Sequence, residues 1–498
     1  MRGFSAFRRG TGHAIAPCHY IFVHEIARPR VSGRGAMAYA HAQSGLHGWS
    51  GPGVLPACGN TGQRVWSIIE MAQKFRIVIV GGGVAGLALA TRLGNSVGRS
   101  GQAEITLVDK SFAHVWKPML HCFAAGTAAN ENDRISFMSQ ASRHHFEFWP
   151  GEITALDRTA RTISLAPIRD RLSGEVVVEA RTLDYDAVVL SIGSRANDFG
   201  TPGVAEHCLF IDNLVDANGF NDRFRMELLR AFANGQELDI AIVGGGATGT
   251  QLAAELHKAL DLASLYSFGR KPPRLRITLL EAGPRILPAF PEAVSAAAVR
   301  QLEAIGVSVR AGAMVSGADG NGFILKDGSR VPATLRVWAA GVKAPDVTSK
   351  FGGLKLSRSG QLEVRPSLQV MEDDNIFAMG DCAFIAEKPV APTAQAARQQ
   401  AHHLARVLPG WMKSGNPLPP FTFHNKGAVV ALGDYNGWGT FPGGTVFGGG
   451  WLHGLSARLV HLMLYRQHQF ELYGPVRGTI SCLVDWLDVF VRPSVRLD

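Results

Sequence analysis

The chain has 498 residues, too many for a single core, so two or three domains are expected. A net charge of +9 suits an acidic membrane surface or anionic ligands, but no basic run is interleaved with aromatics, so no nucleic-acid partner is expected. The six cysteines include no CxxC pair, which argues against a dithiol redox centre, a zinc site or a disulfide framework and favours a reducing compartment. No stretch reaches the ~18 consecutive apolar residues of a membrane-spanning helix, so any membrane contact is expected from the surface.

Residues 1–73 are rich in Gly, Arg and His, with Glu25 and Glu70 as the only acids, and hold no lasting apolar periodicity. A low-order N-terminal extension is expected there. A transit peptide is one reading; a disordered tail or a start assigned too early is the stronger one, because Met71 stands just before the first strand.

From Lys74, strands and helices alternate. The β-branched run Ile77–Val80 ends in Gly81, Gly83 and Gly86, spaced GxGxxG, and an Ala/Leu-rich helix follows over Leu87–Leu93. Strand, glycine turn and helix form a dinucleotide-binding fingerprint, with the phosphates expected at the helix N-terminus. The next strand, Ile105–Val108, ends in Asp109, whose carboxylate suits ribose hydroxyls; Lys110 follows it. Asp109 lies 28 positions after Gly81, against the usual ~20, and Ser96–Gln102 reads as a loop insertion. Trp116-Lys117-Pro118 is expected to form a stiff loop where a flavin ring would lie. Residues 135–185 read as an antiparallel excursion, and the strand from Asp186 returns to the first nucleotide at Gly193.

The fingerprint then repeats. Ile240–Val243 leads into Gly244, Gly246 and Gly249, a helix follows, and Ile277–Leu280 ends in Glu281. Two such units imply two dinucleotides. An acid at Glu281 repels a 2′-phosphate and favours NADH over NADPH, an expectation that Arg285 weakens. Val337–Gly341 closes the second unit. Asn375–Asp381 is a strand ending in Gly380-Asp381, placed to meet the ribityl chain of a flavin. Pro392–Gln400 opens a helix on which Gln395 and Gln399 share a face, with small Ala394, Ala396 and Ala397 beside them. Glycine-rich turns are expected over Trp438–Gly450, then two helical segments broken at Gly474-Pro475. In the second, Val476, Ile480, Leu483, Val484, Leu487, Phe490 and Val491 fall on one arc. That stripe suits a core-covering helix or a membrane interface, and Arg458 and Arg466 favour anionic lipid.

These motifs resemble the type II NADH dehydrogenases, single-chain, non-pumping NADH:quinone oxidoreductases. The resemblance runs from Phe75 to the C-terminus and is carried by VDKSFAHVWKPMLH, IVGGGATG, AMGDCA, FHNKGAVVALG, LYRQHQ and above all PTAQAARQQ, which contains the AQxAxQ quinone-site signature. It implies an α/β fold of two Rossmann-like domains of glutathione-reductase type with a C-terminal amphipathic membrane-anchoring region. The implied boundaries are 74–236 and 346–425 for the two parts of an FAD-binding domain, 237–345 for an NADH-binding domain and 426–498 for the membrane-associating region. It also implies FAD in the first unit, NADH in the second, a membrane quinone as acceptor, contact with surface lipids on the cytoplasmic face of the inner (cell) membrane, and leaves a homodimer open. Ala394, Gln395 and Gln399 would meet quinone and flavin, and Lys426 would stand near the quinone path. One departure is Gln251, where many family members carry glutamate: it can position nicotinamide but cannot exchange a proton at neutral pH. Sulfide:quinone oxidoreductases share the architecture but need cysteines beside the flavin; an NADH-sensing flavoprotein of apoptosis-inducing-factor type would reoxidise slowly with quinone.

Overall fold

The computed structural model describes residues 74–128, 134–170, 172–265, 274–443, 445–448 and 451–491. The expectation for 1–73 and those for the side chains of Arg458, Phe490 and Val491 lie outside the described residues.

The first glycine fingerprint follows the middle strand of a five-stranded parallel sheet. Its order is Ile376–Ala378, Ala187–Leu190, Phe75–Val80, Ala103–Asp109 and Glu147–Pro150. A strand buried on both faces must be apolar throughout, and Ile77, Val78, Ile79 and Val80 are each at most 2% exposed. The Asn375–Asp381 segment thus returns to the first sheet after the whole second unit has been threaded. The second sheet, also parallel, runs Val307–Ala311, Leu275–Glu281, Leu238–Val243 and Leu335–Trp338. In both sheets the glycine turn lies at the carboxyl end of a central strand, where open α/β sheets place their ligands.

The sequence reading needs correction in four places. The first helix begins at Val84, so Gly86 sits inside its first turn. Part of the expected Ser96–Gln102 loop continues that helix as a π-helical turn over Gly94–Gly98, and its bare Gly94 and Gly98 let the turn pack against the carbonyls of His144 and His145. Within 135–185, Phe137–His144 is a helix and Glu147–Pro150 joins the parallel sheet; from Ile153 on the pairing is antiparallel, with Ile153–Asp157, Thr162–Leu165 and Arg181–Asp184 in one sheet and Ile168–Arg169 against Val176–Val178 in another. The glycine-rich stretch after Leu432 is no string of turns: Ala428–Leu432, Asn436–Thr440 and Val446–Gly448 form an antiparallel meander. Gly439 is paired with Phe447, and a Cβ there would lie 2.1 Å from the Phe447 ring, so the aromatic covers the gap the glycine leaves.

The C-terminal helix Trp451–Val491 breaks at Gly474 (φ 75°), followed by Pro475. The chain folds back on itself there. Arg466 pairs with Asp485, and the Phe470 ring lies over Gly478. The expected apolar stripe points outward: Val476 is 71% exposed and Leu487 48%, with Ile480, Leu483 and Val484 between them. No helix among the described residues is long and apolar enough to cross a membrane.

Candidate active site

The two glycine turns are built alike. Gly81 (φ +103°) adopts a backbone closed to side chains, and a Cβ on Gly86 would lie 1.8 Å from the Gly81 carbonyl oxygen. Gly83, by contrast, faces open space, with nothing within 4 Å of a Cβ position. That leaves room for an anion at the N-terminus of Val84–Leu93, as the fingerprint expects of a pyrophosphate. Gly244, Gly246 and Gly249 repeat the pattern. The acids at the ends of the neighbouring strands repeat as well. Asp109 accepts from Gly82 N–H (2.6 Å) and Ser111 N–H (2.7 Å); Glu281 accepts from Gly245 N–H (2.6 Å) and Gly283 N–H (2.7 Å). Burial pushes the Asp109 carboxyl above its ordinary value, opposed by those N–H bonds. Lys110, expected beside the cofactor from its place after Asp109, lies at the surface with its ammonium on Glu152.

Arg285 does not face the nucleotide as a spare cation. Its Nη1 donates to the carbonyls of Leu287 (3.2 Å) and Phe290 (2.8 Å) and to Ser295 Oγ (2.6 Å), and its Nη2 to Pro288 O (2.9 Å). Gln251 is 6% exposed on the helix Ala247–Leu265. One turn on lies Glu255, equally buried and accepting from Thr127 Oγ1. The sequence reading passed over Glu255, although QLAAEL puts the two on one helical face.

The Gly380-Asp381 turn gathers three segments. Asp381 Oδ2 accepts from Ser194 Oγ (2.8 Å), and Ser194 O accepts from Lys117 Nζ (2.9 Å). Gly380 N–H donates to Gln400 Oε1 (2.6 Å), which fixes the glutamine helix Ala394–Ser414 on this turn. Beside Asp381 a cavity of about 220 Å³ opens, lined by Val342, Lys343, Gln361, Phe384 and Pro392. Gly193 and Gly341 lie three residues past the ends of Ala187–Leu190 and Leu335–Trp338, both at positive φ, where the chain turns. This ring of open glycines, half-buried acids and strand ends fits FAD at the first turn.

Gln395 and Gln399 bind backbone. Gln399 accepts from His424 N–H (3.0 Å) and donates to His424 O (2.8 Å), as a paired strand would. Gln395 accepts from Lys426 N–H (2.8 Å) and donates to Gly427 O (3.0 Å). The two amides hold the segment His424–Gly427, which presents Lys426 to solvent. Ala394 opens the helix, whose first turn is capped by Thr393.

The far face of that helix is clamped by Glu471 of the C-terminal helix. Its carboxylate, 6% exposed, accepts from Arg92 (2.9 Å), Arg398 (2.6 Å) and His402. Burial alone would raise the Glu471 carboxyl, but the His402 bond and the Arg398 charge outweigh it and hold the pKa to about 2. A carboxylate depressed in the folded state adds stability above its unfolded value, near 4.5, and loses it as pH falls towards about 2. The melting temperature of Glu471→Gln should therefore lie below wild type at neutral pH, with the gap closing as pH falls through that window. A gap that does not change with pH would remove the charge from this account.

Among the described cysteines none is in a disulfide. Cys382, next to Asp381, is fully buried and donates to the Leu190 and Met379 carbonyls; burial pushes its thiol up to about 12. A protonated, enclosed thiol is a poor sulfur nucleophile.

Residues 75–401 match the pyridine nucleotide-disulphide oxidoreductase family. The type II NADH:quinone oxidoreductase of Haemophilus influenzae is 39% identical over 445 residues, covering 84% of this chain and 99% of that protein. The enzyme of the same name from Staphylococcus saprophyticus is 30% identical, covering 76% and 92%. Among solved structures, NDH2 from Plasmodium falciparum in complex with NADH superposes with a TM-score of 0.71 at 18% identity, covering 85% of this chain and all of that one. The sulfide:quinone oxidoreductase of Aquifex aeolicus superposes at 0.62 and 18%, covering 84% and 95%, so the fold alone does not separate the two activities. The sequence identity does: the chain belongs to the type II NADH:quinone oxidoreductases, within the pyridine nucleotide-disulphide oxidoreductase family.

Proposed function

We propose that the chain oxidises NADH at the second glycine turn and delivers the electrons to a membrane quinone beside the glutamine helix, with FAD held at the first turn. Bound FAD supplies the two-electron carrier between nicotinamide and quinone; the chain itself positions and insulates. The observation that carries this reading is the duplication: two turns of one design, each backed by an acid.

In this division of labour Gly81, Gly83 and Gly86 cradle the FAD pyrophosphate, Asp109 takes a ribose, and Asp381, steadied by Ser194, takes the ribityl hydroxyls. Gly244, Gly246 and Gly249 receive NADH, and Glu281 takes its adenosine ribose. Gln251 orients the nicotinamide amide; it holds no exchangeable proton at neutral pH. Gln395 and Gln399 set the His424–Gly427 segment, so that Lys426 places a positive charge where reduced quinone gathers negative charge. On this proposal, residues 74–236 with 346–425 serve FAD, 237–345 NADH and 426–498 membrane association.

The outward stripe from Val476 to Leu487 supports peripheral attachment to a membrane, and we propose its cytoplasmic face. The Arg466–Asp485 pair argues against deeper insertion, since a central acid costs roughly 2.5–3.5 kcal/mol on insertion scales. Chain ending at Tyr473 should remain flavin-loaded yet no longer float with anionic liposomes. Undiminished flotation would move the attachment elsewhere, and a stripe that instead buries against a second copy would appear as loss of a dimer.

Nucleotide choice tests the second turn. Glu281 repels a 2′-phosphate, and Arg285 has its donors committed to loop carbonyls, so NADH should exceed NADPH in kcat/KM by roughly ten- to two-hundredfold. Glu281→Gln should narrow that ratio and Arg285→Lys should not. Equal kcat/KM values in the wild type would remove the role given to Glu281.

A further inference from the structure

We propose that His468, on the C-terminal helix, is a positioning residue for FAD: it fixes the tautomer of His114, which in turn pins the Gly82 carbonyl of the first glycine turn. The inference rests on FAD being held at that turn. His114 Nδ1 lies 3.0 Å from Gly82 O. A carbonyl only accepts, so Nδ1 carries the proton. His114 is 2% exposed, and burial holds its pKa down to about 4, so the ring is neutral and Nε2 bears a lone pair. The group facing that lone pair is His468 Nε2, at 2.9 Å, and it must donate. His468 Nδ1 then bears a lone pair of its own, and it is the atom left buried without a partner. Protonating His468 would not satisfy that atom, since it would only become a donor without an acceptor and bury a charge; at 1% exposure, burial and then the adjacent His114 push that ring well below its ordinary pKa. One neutral assignment remains, and it runs one way: His468 N–H to His114, His114 N–H to the turn.

The second turn shows what the relay is for. There the Gly245 carbonyl accepts from Leu287 N–H at 2.7 Å, supplied by the adjoining loop in a left-handed conformation (φ 51°). In both turns the middle glycine has its N–H on the acid and its carbonyl on a second donor. An unpinned peptide can rotate and take its neighbours' N–H groups away from the phosphates. The second turn is pinned locally. The first is pinned through a residue 354 positions from His114, on a helix seated by Glu471 and by the Trp116 ring 4.6 Å from the His468 ring. The LYRQHQ segment therefore completes the FAD site from the far end of the chain.

The test is FAD affinity of the deflavinated full chain, read by quenching of flavin fluorescence, with His468→Gln and His468→Met. Gln keeps a donor where Nε2 stood and Met does not. The expected Kd is within about threefold of wild type for Gln and about tenfold or more weaker for Met. Equal affinities in the two variants, whether both retained or both lost, would overturn the relay. Nitrogen chemical shifts of the wild-type holoenzyme decide independently of whether the Met variant folds: protons on His114 Nδ1 and His468 Nε2 are expected, and a proton on His114 Nε2 contradicts the proposal. Asp109→Ala separates the premise. Affinity lost there but kept in His468→Met rejects the relay alone; affinity kept in both rejects FAD at the first turn as well.

Discussion

Gln399→Leu and Gln395→Leu are each expected to raise the KM for a soluble quinone by about tenfold, while reduction of the flavin by NADH in stopped flow stays within about threefold of wild type. The reason lies in what the amides touch. Removing Gln399 leaves both the N–H and the carbonyl of His424 without partners, and removing Gln395 does the same to Lys426 N–H and Gly427 O. Only the bond to Gly427 O is partly buried and water can replace the others, so each bond is worth about 0.5–1.5 kcal/mol and not the full cost of a buried orphan. The segment carrying Lys426 then loosens, and Lys426→Ala should reproduce part of the loss. Gln400, on the same helix, bonds Gly380 N–H instead, so Gln400→Leu should lower flavin content where the other two do not. If the flavin half-reaction slows as much as quinone turnover in the Gln395 and Gln399 variants, the pair belongs to the flavin site and the quinone site lies elsewhere.

Asp381→Ala should weaken FAD binding by roughly tenfold to more than a hundredfold, the value of a hydrogen bond to a charged acceptor, about 1.5–3 kcal/mol. Ser194 holds the carboxylate in place, and Lys117 holds Ser194, so Ser194→Ala should show a smaller loss in the same direction. The protein should purify partly colourless, and added FAD should restore its spectrum. Acid precipitation of the wild type should leave the yellow colour in the supernatant, because no covalent link is expected. Full flavin occupancy in Asp381→Ala would count against the assigned role.

The two turns were legible because their chemistry is local. A buried apolar run, glycines at fixed offsets and an acid ending the neighbouring strand are all set by one strand-turn-helix geometry, and Asp109 and Glu281 accept from their turns alike. The return of residues 376–378 to the first sheet was legible only through the Gly-Asp ending. What periodicity could not show is partnership across the chain. Gln395 and Gln399 share a helical face in sequence, but nothing in their spacing says that backbone 25 to 32 residues onward fills both amides. The meander after Leu432 hid behind its glycines because Phe447 supplies the packing that Gly439 lacks. Glu471 gave no signal, and His114 and His468, although inside VDKSFAHVWKPMLH and LYRQHQ, gave no sign of pairing: the partners Arg92, Arg398, His402 and Gly82 come together only through the fold. Arg285 read as a blemish on NADH preference, until its donors proved to be spent on the loop that follows it.

The most direct test of the central claim is anaerobic turnover of the purified holoenzyme with NADH and a short-chain soluble quinone, following NADH absorbance and quinol together. One quinol formed per NADH consumed, with flavin reoxidised by quinone at the rate of turnover, is the expected result. Flavin that NADH reduces but quinone leaves reduced, or that sulfide bleaches in place of NADH, would contradict it.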